Sequence, residues 1–153
     1  MENAKTANDS KQQLARSLDK LNAEADWDIF LWLLRNTRKM AWVSPWDDIM
    51  MFKTTLIQEW NCLSESETED MINDRMALQK FLKVASWEKA PDEQKIRLFK
   101  AQIGEESMRE LFDLFDGQLE SLGIPKGSLI DAAFTEPPKL RNGRKSNTNI
   151  KIG

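Results

Sequence analysis

Met108, Leu111, Phe112, Phe115, Leu119 and Leu122 recur at helical spacing and are closed by Gly123. No other segment of the chain is so regular. Residues three and four apart share one face of an α-helix, so this set makes a continuous apolar stripe. A glycine just past its end supplies the left-handed residue on which helices commonly stop. The segment is expected to be the central helix of the core.

Other helices are expected before it. Leu14, Leu18 and Leu21 follow at i, i+4 and i+7 after a polar, frayed start of about ten residues. A second helix begins at an Asp26 N-cap and carries Trp27, Phe30, Leu31 and Leu34. Ser44-Pro45-Trp46-Asp47-Asp48 combines an N-cap serine, a proline at the first helical position and two carboxylates near the positive end of the dipole. That helix is predicted to run to about Trp60, with Trp46, Ile49, Met50, Leu56, Ile57 and Trp60 on one face. Lys53 falls within this apolar arc and is expected to pair with a carboxylate.

Ser64-Glu65-Ser66-Glu67 has the spacing of a capping box, and Asn73-Asp74-Arg75 separates the helix it opens from a second one over Met76 to Val84. Such a pair resembles a helix-turn-helix, although most closely joined helices are packing units. Pro91-Asp92 starts a further helix with Ile96, Phe99 and Ile103 inward and Gly104 after its end. Lys95, Arg97 and Lys100 make it the most basic helix of the body. A solvated face accounts for them at least as well as DNA contact does.

Ser128 to Phe134 reads as a strand apolar on both faces and carrying one carboxylate, Asp131. Pro137-Pro138 ends it, and Thr148, Ile150 and Ile152 alternate as a second strand would. The expected fold class is therefore mainly α, a compact multi-helix domain with one short β-strand or hairpin near the C-terminus. The expected division is a flexible start (1–12), a helical domain (13–124), a first strand (125–138) and a basic tail (139–153).

The net charge of −3 splits into +5 after Pro138, from Lys139, Arg141, Arg144, Lys145 and Lys151, and −8 before it. An acidic body suits non-specific DNA binding poorly, so any DNA contact is expected to be local or made by the tail. No histidine occurs, which removes imidazole bases, Ser-His and Cys-His pairs and histidine-bearing zinc sites. Neither a metal nor a cofactor is expected. Cys62 is the sole cysteine and cannot form an internal disulfide. With no long apolar run, a membrane partner is not expected, and the expected location is the bacterial cytoplasm, nucleoid-associated when DNA is bound. Of the six tryptophans, Trp27, Trp46 and Trp60 are assigned to the core, and Trp42 and Trp87, near helix boundaries, to a partner surface.

Several segments together resemble the N-terminal region of bacterial insertion-sequence transposases of the DDE class, in the insertion-sequence 5 group. They are Met50-Met51-Phe52-Lys53 through Gln58-Glu59-Trp60-Asn61-Cys62-Leu63-Ser64, Asp74-Arg75-Met76-Ala77-Leu78-Gln79-Lys80-Phe81, Pro91-Asp92, Phe99, Leu111-Phe112, Gln118-Leu119, Leu122-Gly123 and Gly127-Ser128-Leu129-Ile130-Asp131-Ala132, with Glu136-Pro137 behind. The resemblance implies a helical part for end recognition and assembly, followed by the start of an RNase H-like domain. It places Asp131 at the first of three carboxylates that together hold two divalent ions for phosphoryl transfer. Where the family continues its Pro-Asp with a Ser-Thr helix start and a Phe-Arg, this chain has Glu93-Gln94-Lys95 and Phe99-Lys100.

Three functions are expected in descending order. The first is a truncated transposase-like module, catalytically incompetent alone, that binds transposon-end DNA through Lys95, Arg97, Lys100, Lys139, Arg141, Arg144 and Lys145, or binds itself or intact transposase. The second is a repurposed protein-interaction or regulatory protein without DNA binding, in which Ile130 and Phe134 must be covered. The third is an enzyme whose copies pool Asp131 around a metal, a weak candidate because one carboxylate is far short of a site.

Overall fold

The computed structural model describes residues 2–37, 47–84 and 89–131, with side chains from residue 9 onward. Among these residues the elements are helical: α1 (Glu2–Glu24), α2 (Trp27–Thr37), α3 (Asp48–Asn61), α4 (Glu65–Asp74), α5 (Met76–Leu82), α6 (Glu93–Ile103), α7 (Glu105–Leu122) and a 3-10 helix over Lys126–Leu129. The backbone of residues 2–12, expected as a flexible start, continues α1.

Most helix ends stand where the caps put them. Asp26 Oδ1 accepts from the Ile29 amide at 3.3 Å. In the capping box, Ser64 Oγ accepts from the Glu67 amide at 3.1 Å and Glu67 Oε1 accepts from the Ser64 amide at 2.9 Å. Asp92 caps α6 through the Lys95 amide at 2.8 Å. Gly123, at φ 72°, ends α7, and the Ile124 amide reaches back to the Leu119 carbonyl at 3.0 Å. One cap moves. α3 starts at Asp47 rather than Ser44, because the Asp47 carboxylate accepts the Met50 amide at 2.6 Å. A carboxylate caps as well as a hydroxyl and adds a favourable charge at the dipole's positive end. Ser44, Pro45 and Trp46 lie outside the described residues.

The core corrects one expectation. α3, not α7, is the helix buried on all sides: every residue from Met50 to Gln58 is buried, as are Trp60 and Asn61. α7 buries Met108, Leu111, Phe115 and Leu119 and leaves Leu114 exposed. Phe115 is nonetheless the hub where the helices meet. Its ring centroid lies 5.3 Å from those of Trp27 and Phe30, 6.0 Å from Phe52 and 6.2 Å from Trp60. Leu14, Leu18 and Leu21 bring α1 onto this core, as their spacing requires.

Polar side chains on α3 are paired where they are buried. Thr54 Oγ1 donates to the Met50 carbonyl at 2.9 Å and Thr55 Oγ1 to the Phe52 carbonyl at 2.7 Å. Lys53, expected beside a carboxylate, donates instead to neutral oxygens, Asn22 Oδ1 at 2.7 Å and the Phe81 carbonyl at 2.9 Å. Its Nζ also lies 4.8 Å and 4.9 Å from the ring centroids of Trp27 and Phe81. One ammonium thus ties α1 and α3 to the end of α5.

The C-terminal strand is not formed among the described residues. Ser128 and Leu129, its expected start, belong to the 3-10 helix, which packs on α1 through a 2.9 Å hydrogen bond from Ser17 Oγ to Ser128 Oγ. The Ser128 hydroxyl in turn donates to the Pro125 carbonyl at 2.7 Å. This local bond favours a tight turn over an extended chain. Extended backbone begins only at Ile130 (φ −97°, ψ 134°). Residues 132–134 lie outside the described residues.

Candidate site at Asp131 and the basic helix

Three anchors bring Asp131 into the helical body. Leu129 is buried in the core, and just beyond it the Asp131 amide donates to Asn61 Oδ1 at 3.0 Å. Asn61 is held in turn by its Nδ2, which donates to the Ile57 carbonyl at 3.0 Å. The Asp131 carboxylate accepts from Arg75 Nε at 2.6 Å, with the Asp131 side chain 4% and the Arg75 side chain 24% exposed. Arg75 stands at the non-helical joint between α4 and α5 and also bonds Asp74. The hydrogen bond that Arg75 donates to Asp131 is the largest influence on the guanidinium, and with the two nearby carboxylate charges it outweighs burial and raises the pKa above the ordinary arginine value.

That arrangement does not fit a metal site. A divalent ion on Asp131 would lie beside the guanidinium that already holds Oδ2, and among the described residues no three His, Cys, Asp or Glu side chains converge to hold one. Neither Asn61 nor Arg75 stands out from local sequence. They lie 70 and 56 positions from Asp131, and only the packing of α3 and the α4–α5 joint brings them together.

The basic helix α6 is divided. Arg97 is exposed and pairs with Glu93 one turn earlier at 2.6 Å. Lys95 is half-buried in the first turn. Lys100 turns inward and donates at 3.0 Å to both Gln58 Oε1 of α3 and Glu65 Oε2 of α4. Burial works against the Glu65 carboxylate, but hydrogen bonds from Gln58 and Lys100 outweigh it and pull its pKa below the ordinary value. Lys139, Arg141, Arg144 and Lys145 lie outside the described residues.

Residues 6–102 match the transposase domain family (DUF772). The chain belongs to that family. No curated protein and no solved structure matches it. The matched stretch of the transposase domain runs from α1 nearly to the end of α6 and so includes both Asn61 and Arg75. The helices on which Asp131 rests are thus family helices, whereas α7 and Asp131 follow the match.

Beside the transposase-domain helices, α3, α6 and α7 enclose an open groove of about 710 Å³, floored by Leu56, Trp60, Met108 and Phe112. Its rim has both signs of charge, with Arg109 3.5 Å from Glu105 and Lys126 3.4 Å from Asp116. A uniformly basic wall for phosphates is not formed there. On α2, Trp32 is 59% exposed, next to the exposed Ile29 one turn earlier. The tryptophans expected from sequence to face a partner, Trp42 and Trp87, both lie outside the described residues, and Trp32 was not among them. Its signal was legible: Ile29 and Trp32 fall off the stripe formed by Trp27, Phe30 and Leu34. Ile130, expected to be covered by the body's helices, a second copy or another protein, is 37% exposed in the single chain. Among the described residues no helix is long and apolar enough to cross a membrane.

Proposed function

We propose that this transposase-family chain serves as a helical recognition module of the insertion-sequence 5 type, which binds transposon-end DNA, transposase subunits or both and does not by itself carry out phosphoryl transfer. The family match over α1–α6 carries the reading. In it, residues 13–124 form the recognition domain, 125–138 open an RNase H-like unit and 139–153 are a basic arm. Lys95 and Arg97 on the body, with Lys139, Arg141, Arg144 and Lys145 on the arm, supply phosphate contacts. Lys100 braces α6 against α3 and α4 and so sets where Lys95 and Arg97 stand. The protein acts in the cytoplasm, on the nucleoid when DNA is bound.

The acidic body keeps non-specific affinity low, so binding depends on a few local cations. Removing one cation that neutralises a phosphate reduces the slope of log K against log salt by about 0.9. An electrophoretic shift with the element's terminal sequences at low salt is expected to show preference over scrambled duplex. Replacing Lys139, Arg141, Arg144 and Lys145 by alanine is expected to flatten the salt slope by up to about 3.6 on that rule. Equal binding to all sequences, together with no binding to intact transposase, would sink the proposal.

A second reading is favoured by the exposed Ile29–Trp32 pair and the −8 body: a regulator that acts through protein surfaces without binding DNA. Trp32→Ala separates the two. Loss of transposase binding in that variant, with no sequence-preferring DNA shift from either protein, supports the regulator.

A further inference from the structure

We infer that the Arg75–Asp131 ion pair is a latch: it fastens the chain leaving the helical body to the α4–α5 joint, with a guanidinium standing where the family resemblance places a metal ion. The latch is distinct from the recognition role and holds whether or not the protein binds DNA.

The geometry argues for holding rather than for chemistry. Asp131 is gripped at two points, through its backbone by Asn61 and through its carboxylate by Arg75. Those partners come from the end of α3 and the joint after α4, so one short segment clamps two neighbouring helices. Arg75 is committed to the pairing by its own position. It is the single non-helical residue between α4 and α5, and its amide closes α4 by donating to the Ile72 carbonyl at 3.3 Å. On the other side, Ser128 is buried and bonded to α1 and Leu129 is buried in the core, so Asp131 is the last of three attachments within four residues.

A carboxylate kept for a metal behaves differently in the empty protein. It commonly sits beside other carboxylates, and neutralising it relieves repulsion. An enclosed carboxylate held by an arginine does the reverse, because neutralising it removes a charge-assisted hydrogen bond and leaves Arg75 with Asp74. The sign of the stability change therefore distinguishes a latch from a metal ligand.

The test is thermal unfolding of the full chain with Asp131→Asn, which keeps the size of the side chain and the amide bond to Asn61. A fall in the midpoint of about 5–10 °C is expected. Arg75→Gln should give a similar fall, and the double variant little more than either alone, since all three remove the same ion pair. An unchanged or raised midpoint in Asp131→Asn would overturn the latch. So would saturable binding of Mn²⁺ alone to the unaltered protein that disappears in Asp131→Asn. Should either variant fail to fold, hydrogen exchange on the unaltered protein decides: the Asp131 amide is expected to be protected at least a hundredfold, and exchange at the rate of an open chain would overturn the latch.

Discussion

α3 and α7 differ in a way opposite to their sequences. α7 has the cleaner apolar stripe and lies at the edge of the body with one side in water. α3 has lysine, threonines, glutamine and asparagine scattered around it and is enclosed on every side. A regular stripe marks a helix with one face to cover. Enclosure instead demands that each polar group find a partner, and α3 meets the demand through its own carbonyls and through the ends of its neighbours. A helix can therefore be central without looking apolar, provided its polar atoms have somewhere to go.

The contrast is sharpest where a charge is introduced. Thr54→Asp places an unpaired carboxylate where Thr54 is fully buried, at an expected cost of about 3–5 kcal/mol. Loss of a cooperative unfolding transition by circular dichroism is the expected result, and near-native stability would break the assignment of α3 as the enclosed helix. Where the two helices meet, Phe115→Ala and Phe52→Ala are each expected to cost about 3–4 kcal/mol by urea unfolding. Their double variant should fall short of the sum, because the rings touch.

Lys53 gives a smaller and pH-dependent effect. Burial, helped by nearby Lys83 and opposed by Asp47, lowers its pKa from the ordinary 10.5 to about 8. The unfolded chain then holds the proton more tightly, so stability should rise as pH passes from about 8 toward 10.5. The rise is expected to be of the order of 1–3 kcal/mol and to vanish in Lys53→Met. A curve that is flat, or identical in the two proteins, would show that the ammonium is not enclosed. Smallest of all, Leu114→Lys on the wet side of α7 should change stability by no more than about 0.5 kcal/mol. A larger loss would mean that α7 is covered there.

Much of the fold was legible because it is written locally. The Asp26, Ser64 and Asp92 caps, the Gly123 stop and the break at Arg75 each depend on atoms within a few residues of one another. Asp47 takes the cap expected at Ser44 because it offers an equally good acceptor three residues later, a choice that local chemistry leaves open. The lysines of α6 looked alike in sequence. Lys100 turned out to be a brace because Gln58 and Glu65 come from other helices. The strand expected from Ser128 rests on a short run apolar on both faces, and such a run does not reveal a hydroxyl that bonds its own backbone.

Stripes and caps thus declare how many turns a segment makes and where it halts, since hydrogen bonding over three or four residues and one-sided apolarity are properties of neighbours along the chain. Which helix lies in the middle, whether Lys53 faces a carboxylate or two aromatic rings, and whether Asp131 meets a cation from solvent or the guanidinium of Arg75 depend on groups tens of residues away. Those outcomes are set by packing, because burial makes every distant polar partner count.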